Sequence, residues 1–102
     1  MYRAPPQLRI RFDAPGFFLV DARLVVFLNG QTIYDGSFKQ GFDVAFPFAP
    51  GKHVIMTWIE MSATSRNREF TIDAPPEGCV VVLSYSRLWG NFEKTPVVLR
   101  PT

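Results

Sequence analysis

The chain has 102 residues, of which 47% are hydrophobic and 15% aromatic, and its formal net charge is +2 at pH 7. This length predicts one domain over residues 1–102, with residues 1–6 as a flexible N-terminal arm, and the hydrophobic content excludes a disordered protein. Because the charges nearly balance, the chain lacks the clustered positive groups that nucleic acid or an anionic membrane surface requires. Neither is expected as a partner.

No segment has the 3.6-residue period of a helix, and the apolar blocks are rich in β-branched and aromatic residues. The pattern predicts strands over residues 7–13, 23–28, 31–35, 41–48, 52–61, 68–73, 78–88 and 95–99. Residues 36–38 are expected to pair with 41–48 in a hairpin. Residues 64–67 are expected to lie outside the strands and 74–78 to form a loop. Residues 17–20 fit either a short edge strand or a bulged loop.

Two dipeptides predict specific turns between these strands. Asn29-Gly30 is the preferred pair for a type I′ hairpin turn, in which both central residues have positive φ. Pro50-Gly51 fits the central positions of a type II turn. The short, hairpin-connected strands predict an all-β, immunoglobulin-like antiparallel sandwich of about seven to eight strands. A small closed barrel is the alternative, which is less favoured because barrels tend to need glycine kinks within strands.

Residues 24–33 read Leu-Val-Val-Phe-Leu-Asn-Gly-Gln-Thr-Ile, and residues 49–55 read Ala-Pro-Gly-Lys-His-Val-Ile. An apolar strand, an Asn-Gly turn and a Pro-Gly-x-His turn that opens a strand together resemble small bacterial PEGA-type domains and related carbohydrate-binding-like sandwich domains. The resemblance implies the sandwich fold. It transfers no ligand, because fold alone does not imply function.

The sequence offers little for catalysis or metal binding, and we expect a non-enzymatic protein with no catalytic, cofactor-binding or metal-ligating residues. Cys79 is the only cysteine and His53 the only histidine, so neither a disulfide within the chain nor a His/Cys metal cluster can form. Cys79 is expected to be a buried thiol, and His53 to bond to the turn backbone at a strand start. Glu60, late in an apolar strand, is expected to reach water or to pair with an arginine: Arg66, Arg68 or Arg87.

The N-terminus has no secretory-signal pattern, and no apolar run is long enough for a membrane helix. The expected location is therefore cytoplasmic if the chain is a full-length product, and open if it is a fragment.

The first strand alternates in the usual way, with Leu8, Ile10 and Phe12 inward. Three later segments are instead apolar on both faces: 24–28, 54–59 and 79–83. The outer rows of such strands form an apolar patch when they are neighbours in one sheet, and internal cover by Phe17, Phe18 or the N-terminal arm is the alternative. The candidate interface residues are Phe27, Val54, Met56, Trp58, Val80 and Val82.

The chain is therefore expected to be an accessory module that binds protein and self-associates as a homodimer. The rival hypothesis is a carbohydrate-binding module in which sugar rings stack on an aromatic platform. Its candidate ligand face comprises Tyr85, Trp89 and Phe92 together with Trp58, and Tyr34 could join this platform. The other reading of these aromatics places Trp58 or Tyr85 in the core and Trp89 at one end of the sandwich.

Overall fold

The computed structural model describes residues 6–15, 21–61, 64–86 and 91–100. Within these ranges the protein is all-β and contains no helix, as the sequence predicts. The ten strands are β1 (Leu8–Phe12), β2 (Arg23–Leu28), β3 (Gln31–Ser37), β4 (Phe42–Phe46), β5 (Gly51–Met61), β6 (Thr64–Ala74), β7 (Cys79–Leu83), β8 (Tyr85–Ser86), β9 (Asn91–Phe92) and β10 (Val97–Leu99).

The strands form two four-stranded sheets and one small sheet. Sheet A has the order β10-β7-β1-β4, sheet B has the order β3-β2-β5-β6, and β8 pairs with β9 alone. Every pair is antiparallel except β1 with β7, which run parallel from Leu8 opposite Cys79 to Phe12 opposite Leu83. A parallel pair needs a long connection, and the chain between β1 and β7 supplies the whole of sheet B together with β4.

The predicted Asn29-Gly30 turn and the alternation of the first strand are confirmed. Asn29 and Gly30 have φ values of 51° and 84°, and they join β2 to β3 directly. Gly51 has a positive φ of 121° and is the first residue of β5. Leu8 and Ile10 are completely buried, because alternate residues of β1 face the core.

The predicted hairpin between residues 36–38 and 41–48 is wrong. Residues 31–37 form one strand in sheet B, whereas β4 lies in sheet A, so the chain crosses between the sheets here. Gly41, with φ 68°, makes the crossing possible because a Cβ at this position would lie 2.3 Å from the carbonyl oxygen of Phe12. Phe38 is buried just before it.

The prediction that residues 64–67 lie outside the strands is also wrong. They belong to β6, which pairs with β5 without interruption from Gly51 opposite Ala74 to Met61 opposite Thr64. The side chains of this segment are polar and exposed, so the backbone ladder with β5 holds it in place rather than side-chain burial.

The predicted strand over 78–88 is divided in two. β7 ends at Leu83 in sheet A, and Tyr85 and Ser86 then pair with Phe92 and Asn91 in the small sheet. β10 follows Pro96 and is an edge strand of sheet A, the position in a sheet that tolerates a proline. The predictions for residues 1–5, 17–20 and 87–90 lie outside the described residues.

The inner faces of sheets A and B share one hydrophobic core. Tyr34 of β3 stacks on Phe42 of β4 with ring centroids 4.8 Å apart, which ties one sheet to the other. Cys79 is a free, buried cysteine as predicted, and burial raises the pKa of its thiol. A buried thiol of this kind behaves as a small apolar side chain rather than a nucleophile.

Candidate functional site

The outer face of sheet B carries a row of apolar side chains along its two central strands, β2 and β5. Val25 lies opposite Trp58 and Phe27 lies opposite Met56 in the register of these strands, and Val54 continues the row along β5. These five residues form the apolar strip. Val54 is 37% exposed, and Phe27, Met56 and Trp58 are half-buried, whereas Val25 is only 4% exposed. The face that an antiparallel sheet usually turns to water is therefore apolar along its middle.

Polar side chains border the apolar strip on both sides. On β6 the outward row is exposed and polar, comprising Ser65, Asn67, Glu69, Thr71 and Asp73. On β3 the neighbours opposite Val25 and Phe27 are Asp35 and Thr32, which are also exposed. An apolar centre within a polar rim is the usual anatomy of a protein-binding surface.

A cluster of charges closes one end of the strip. Arg23 donates two hydrogen bonds to the Asp35 carboxylate, at 2.9 and 2.8 Å, and its other terminal nitrogen lies 3.6 Å from Glu60. The guanidinium carbon of Arg23 is 5.7 Å from the centre of the Trp58 ring, within cation–π range. The bond from Arg23 lowers the pKa of Asp35 below its usual value. Arg23 therefore restrains the tryptophan ring from one side.

Glu60 pairs with Arg23 rather than with the arginines named from the sequence. Arg23 lies directly opposite Glu60 in the β2–β5 register, and both side chains point outward. Arg66 and Arg68 lie opposite Ile59 and Thr57, which belong to the inward row. Arg87 lies outside the described residues.

Asn29 fixes the opposite end of the strip. Its backbone amide donates to the Val54 carbonyl at 2.8 Å, and its Oδ1 accepts from the Val54 amide at 2.9 Å. The Asn29 Nδ2 must then face His53 Nδ1, 2.9 Å away, which acts as the acceptor. His53 Nε2 consequently carries the proton and donates to the Ala49 carbonyl at 2.7 Å. The predicted bonding of His53 to the turn backbone is confirmed.

Val80 and Val82 lie on the outer face of sheet A, away from the other four candidate interface residues. Val80 is in register between Arg9 of β1 and Leu99 of β10, and it is only 7% exposed. β2 and β5 are therefore the two apolar-faced strands that are neighbours. Val25 belongs to the apolar strip but is not among the candidate interface residues named from the sequence. The alternation of β2 places it on the same face as Phe27.

The candidate aromatic ligand face does not form a shared exposed surface among the described residues. Phe92 is 1% exposed, and its ring packs 5.0 Å from Phe12. Tyr85 is half-buried and makes edge contacts with Phe38 and Phe92, with centroids 4.9 and 5.9 Å apart. Trp89 lies outside the described residues. Phe92 therefore contributes to the core, where a sugar ring has no access to it.

In the part of the chain that the structure describes, no group of three or more His, Cys, Asp or Glu side chains is placed to hold a metal ion. The same ranges contain no helix of the length and apolarity needed to cross a membrane. Comparisons with models of protein families, with curated proteins and with solved structures give no match for this chain.

Proposed function

We propose that this protein is a non-catalytic interaction module that forms a homodimer through the apolar strip. The observation that carries the proposal is the position of five apolar side chains at the centre of an outer sheet face with polar residues on both sides. A second copy is the occupant because a two-fold contact needs only one self-complementary patch.

The charges at the two ends of the strip support a specific arrangement. The outward row of β5 reads Lys52, Val54, Met56, Trp58 and Glu60, and it is balanced about Met56. A two-fold axis across the strands at Met56 places Lys52 over Glu60 of the second copy, and Val54 over Trp58 of that copy. Lys52 has no carboxylate within 4 Å among the described residues, so it is available for this pairing.

The size of the surface sets the expected affinity. The strip is small, because Phe27, Met56 and Trp58 are half-buried and Val25 is buried, so it exposes no more than the few hundred Å² that are usual for one apolar patch on a monomer. With its rim it reaches the lower end of specific interfaces, about 600 Å² per partner. We therefore expect a dimer with a dissociation constant in the micromolar range rather than an obligate dimer.

Sedimentation equilibrium of the wild type and two matched variants tests the proposal. Phe27→Lys places a charge on the proposed axis, where two copies of it face each other, and should weaken the dimer by about 100-fold or more. Val82→Lys makes a comparable change on the outer face of sheet A and should leave the dimer intact. Circular dichroism should show both variants folded.

A charge exchange tests the arrangement separately. Lys52→Glu and Glu60→Lys should each weaken the dimer, and the double variant should recover most of the loss. A wild type that stays monomeric at millimolar concentration contradicts the proposal. If such a monomer is retained on a polysaccharide column, and Trp58→Ala abolishes the retention, the surface binds carbohydrate instead.

We also infer that the two four-stranded sheets form an immunoglobulin-like sandwich of the kind that the PEGA-type resemblance implies. Two features support this: the core shared by their inner faces, and the crossover from β3 to β4 between sheets. An experimental structure in which β1 and β7 are not neighbours would contradict this topology.

A further inference from the structure

The inward row of β6 changes from apolar to basic side chains toward the start of the strand. Phe70 and Ile72 of this row are buried in the core. The same row continues toward the start of the strand with Arg68 and then Arg66, which lie opposite Thr57 and Ile59 of the inward row of β5. Two arginines therefore occupy core-facing positions at this edge of the sheet.

These arginines line a cleft of about 890 Å³ between β6 and the segment that runs from β9 to β10. Lys94 adds a third cation, and Glu93 is the one carboxylate among the described lining residues. The remaining described lining residues are Ser84, Asn91, Phe92, Thr95 and Val97. The lining thus combines a net positive charge with two hydroxyl groups and an apolar wall.

Hydrogen bonds hold the walls of the cleft in place. Arg68 Nε donates to the Phe92 carbonyl at 3.2 Å, and Asn91 Nδ2 donates to the Asn67 carbonyl at 2.9 Å. The Glu93 amide donates to the Ser84 carbonyl at 2.8 Å. Because these bonds join β6 to β9, and the segment after β9 to Ser84, the cations project from a fixed frame.

The cations of the cleft lack the partners that the other arginines of the sheets have. Arg9 and Arg23 each pair with a carboxylate across neighbouring strands, at 2.5 and 2.8 Å. In the described part of the chain, Arg66, Arg68 and Lys94 have no carboxylate within 4 Å. Three unpaired cations around one cleft repel one another and favour an anion between them.

We propose that this cleft binds a small, multiply charged oxyanion that bears phosphate or carboxylate groups. The planar guanidinium groups of Arg66 and Arg68 match the geometry of either group, and Lys94 adds a third charge-assisted hydrogen bond. The hydroxyls of Ser84 and Thr95 supply neutral hydrogen bonds. The volume is typical of small-molecule sites, and the cleft lies on the inner side of β6, separate from the apolar strip.

Isothermal titration calorimetry of the full chain at low salt, with inorganic pyrophosphate and with citrate, tests this site. We expect at least one of the two to bind, and the Arg66→Gln/Lys94→Gln double variant to lose about ten-fold or more in affinity. A preference for pyrophosphate identifies phosphate as the recognised group, and a preference for citrate identifies carboxylate.

Lys39→Gln/Arg100→Gln is the matched control, because it removes one lysine and one arginine from exposed positions that do not line the cleft. It should leave the affinity within about two-fold of the wild type, since distant surface charges are screened. The proposal is overturned if neither anion binds at millimolar concentration, or if both double variants bind equally well. Dimer formation by both double variants is measured separately, because the cleft and the apolar strip are different sites and loss of one should not abolish the other.

Discussion

Sheets A and B are assembled from the chain in different ways. Sheet B consists of two hairpins, β2–β3 and β5–β6, whereas no two neighbouring strands of sheet A are consecutive in sequence. Short turns therefore encode most of sheet B, and sheet A depends on contacts between distant parts of the chain, such as Leu8 opposite Cys79. Distant pairings carry a larger loop-closure cost, so we expect sheet B to form first.

The outer faces of the two sheets differ as well. On sheet A the outer face carries an ion pair between Arg9 on the central strand β1 and Asp43 on the edge strand β4, and the outward apolar residues lie on β7 and β10. On sheet B the apolar residues occupy the two central strands, and the charges lie at the rim. An apolar centre favours a closed contact with a second copy, whereas a charged centre must be desolvated to form one.

The largest expected effect separates the inner and outer rows of sheet B. Ile59 is completely buried and its neighbour Trp58 faces outward. Ile59→Ala should lower the free energy of unfolding by about 2–5 kcal/mol, because it leaves a cavity in the core. Trp58→Ala should lower the free energy of unfolding of the monomer by less than half of the loss that Ile59→Ala causes. Urea unfolding at a concentration below the dimer dissociation constant measures both values, and equal losses would contradict the assigned rows.

An effect of intermediate size is expected at the Asn29-Gly30 turn, which joins two strands of sheet B. Replacing Asn29-Gly30 by Ala-Ala should lower the free energy of unfolding by about 1–3 kcal/mol, because both positions have positive φ. It also removes the Asn29 side-chain bonds to Val54 and His53. Gln40→Ala, in the exposed turn between the sheets, is the control and should have little effect. An unchanged melting curve for the Ala-Ala variant would show that the turn does not determine the hairpin.

The smallest effect concerns acid stability at the end of sheet B. The Ser37 hydroxyl, the Lys39 amide and the Ala22 amide donate to Asp21 and lower its pKa. A carboxyl whose folded pKa is lowered contributes stability above its unfolded pKa, about 4, and that contribution is lost as the pH falls through the folded value. Asp21→Asn should therefore reduce the melting temperature slightly at pH 7 and not at pH 2. Because Asp21 is exposed, the change should be small. An equal reduction at both pH values would contradict this assignment.

The parts of the fold that local chemistry determines could be predicted from the sequence. Alternation identified the inward row of β1, and the Asn29-Gly30 pair identified the β2–β3 hairpin, although β3 extends to Ser37 beyond the predicted 31–35. The β3–β4 crossover could not be predicted, because the positive φ of Gly41 fits a hairpin turn as well as a crossover. Residues 64–67 were missed because their polar side chains carry no strand signal, and only the length of β5 shows that they pair.

The candidate site could be predicted in its composition and not in its arrangement. The two-sided apolar segments made Phe27 and Trp58 candidates for an outward row, but they left open which face of each strand is inward, and sheet membership decides which rows join. The sequence placed Val80 and Val82 with them because nothing local shows that β7 belongs to the other sheet. The basic cleft was missed for the same reason, since Arg66 and Lys94 are far apart in sequence.

The central position of β1 in sheet A has a consequence for biosynthesis. β1 leaves the ribosome before both of its neighbours, β4 and β7, and β7 follows only after β2 to β6. The nascent chain must therefore keep Leu8, Ile10 and Phe12 without their final cover until β7 has been translated. Sheet A can therefore close only after β7 has emerged, whereas all four strands of sheet B have been synthesised by then.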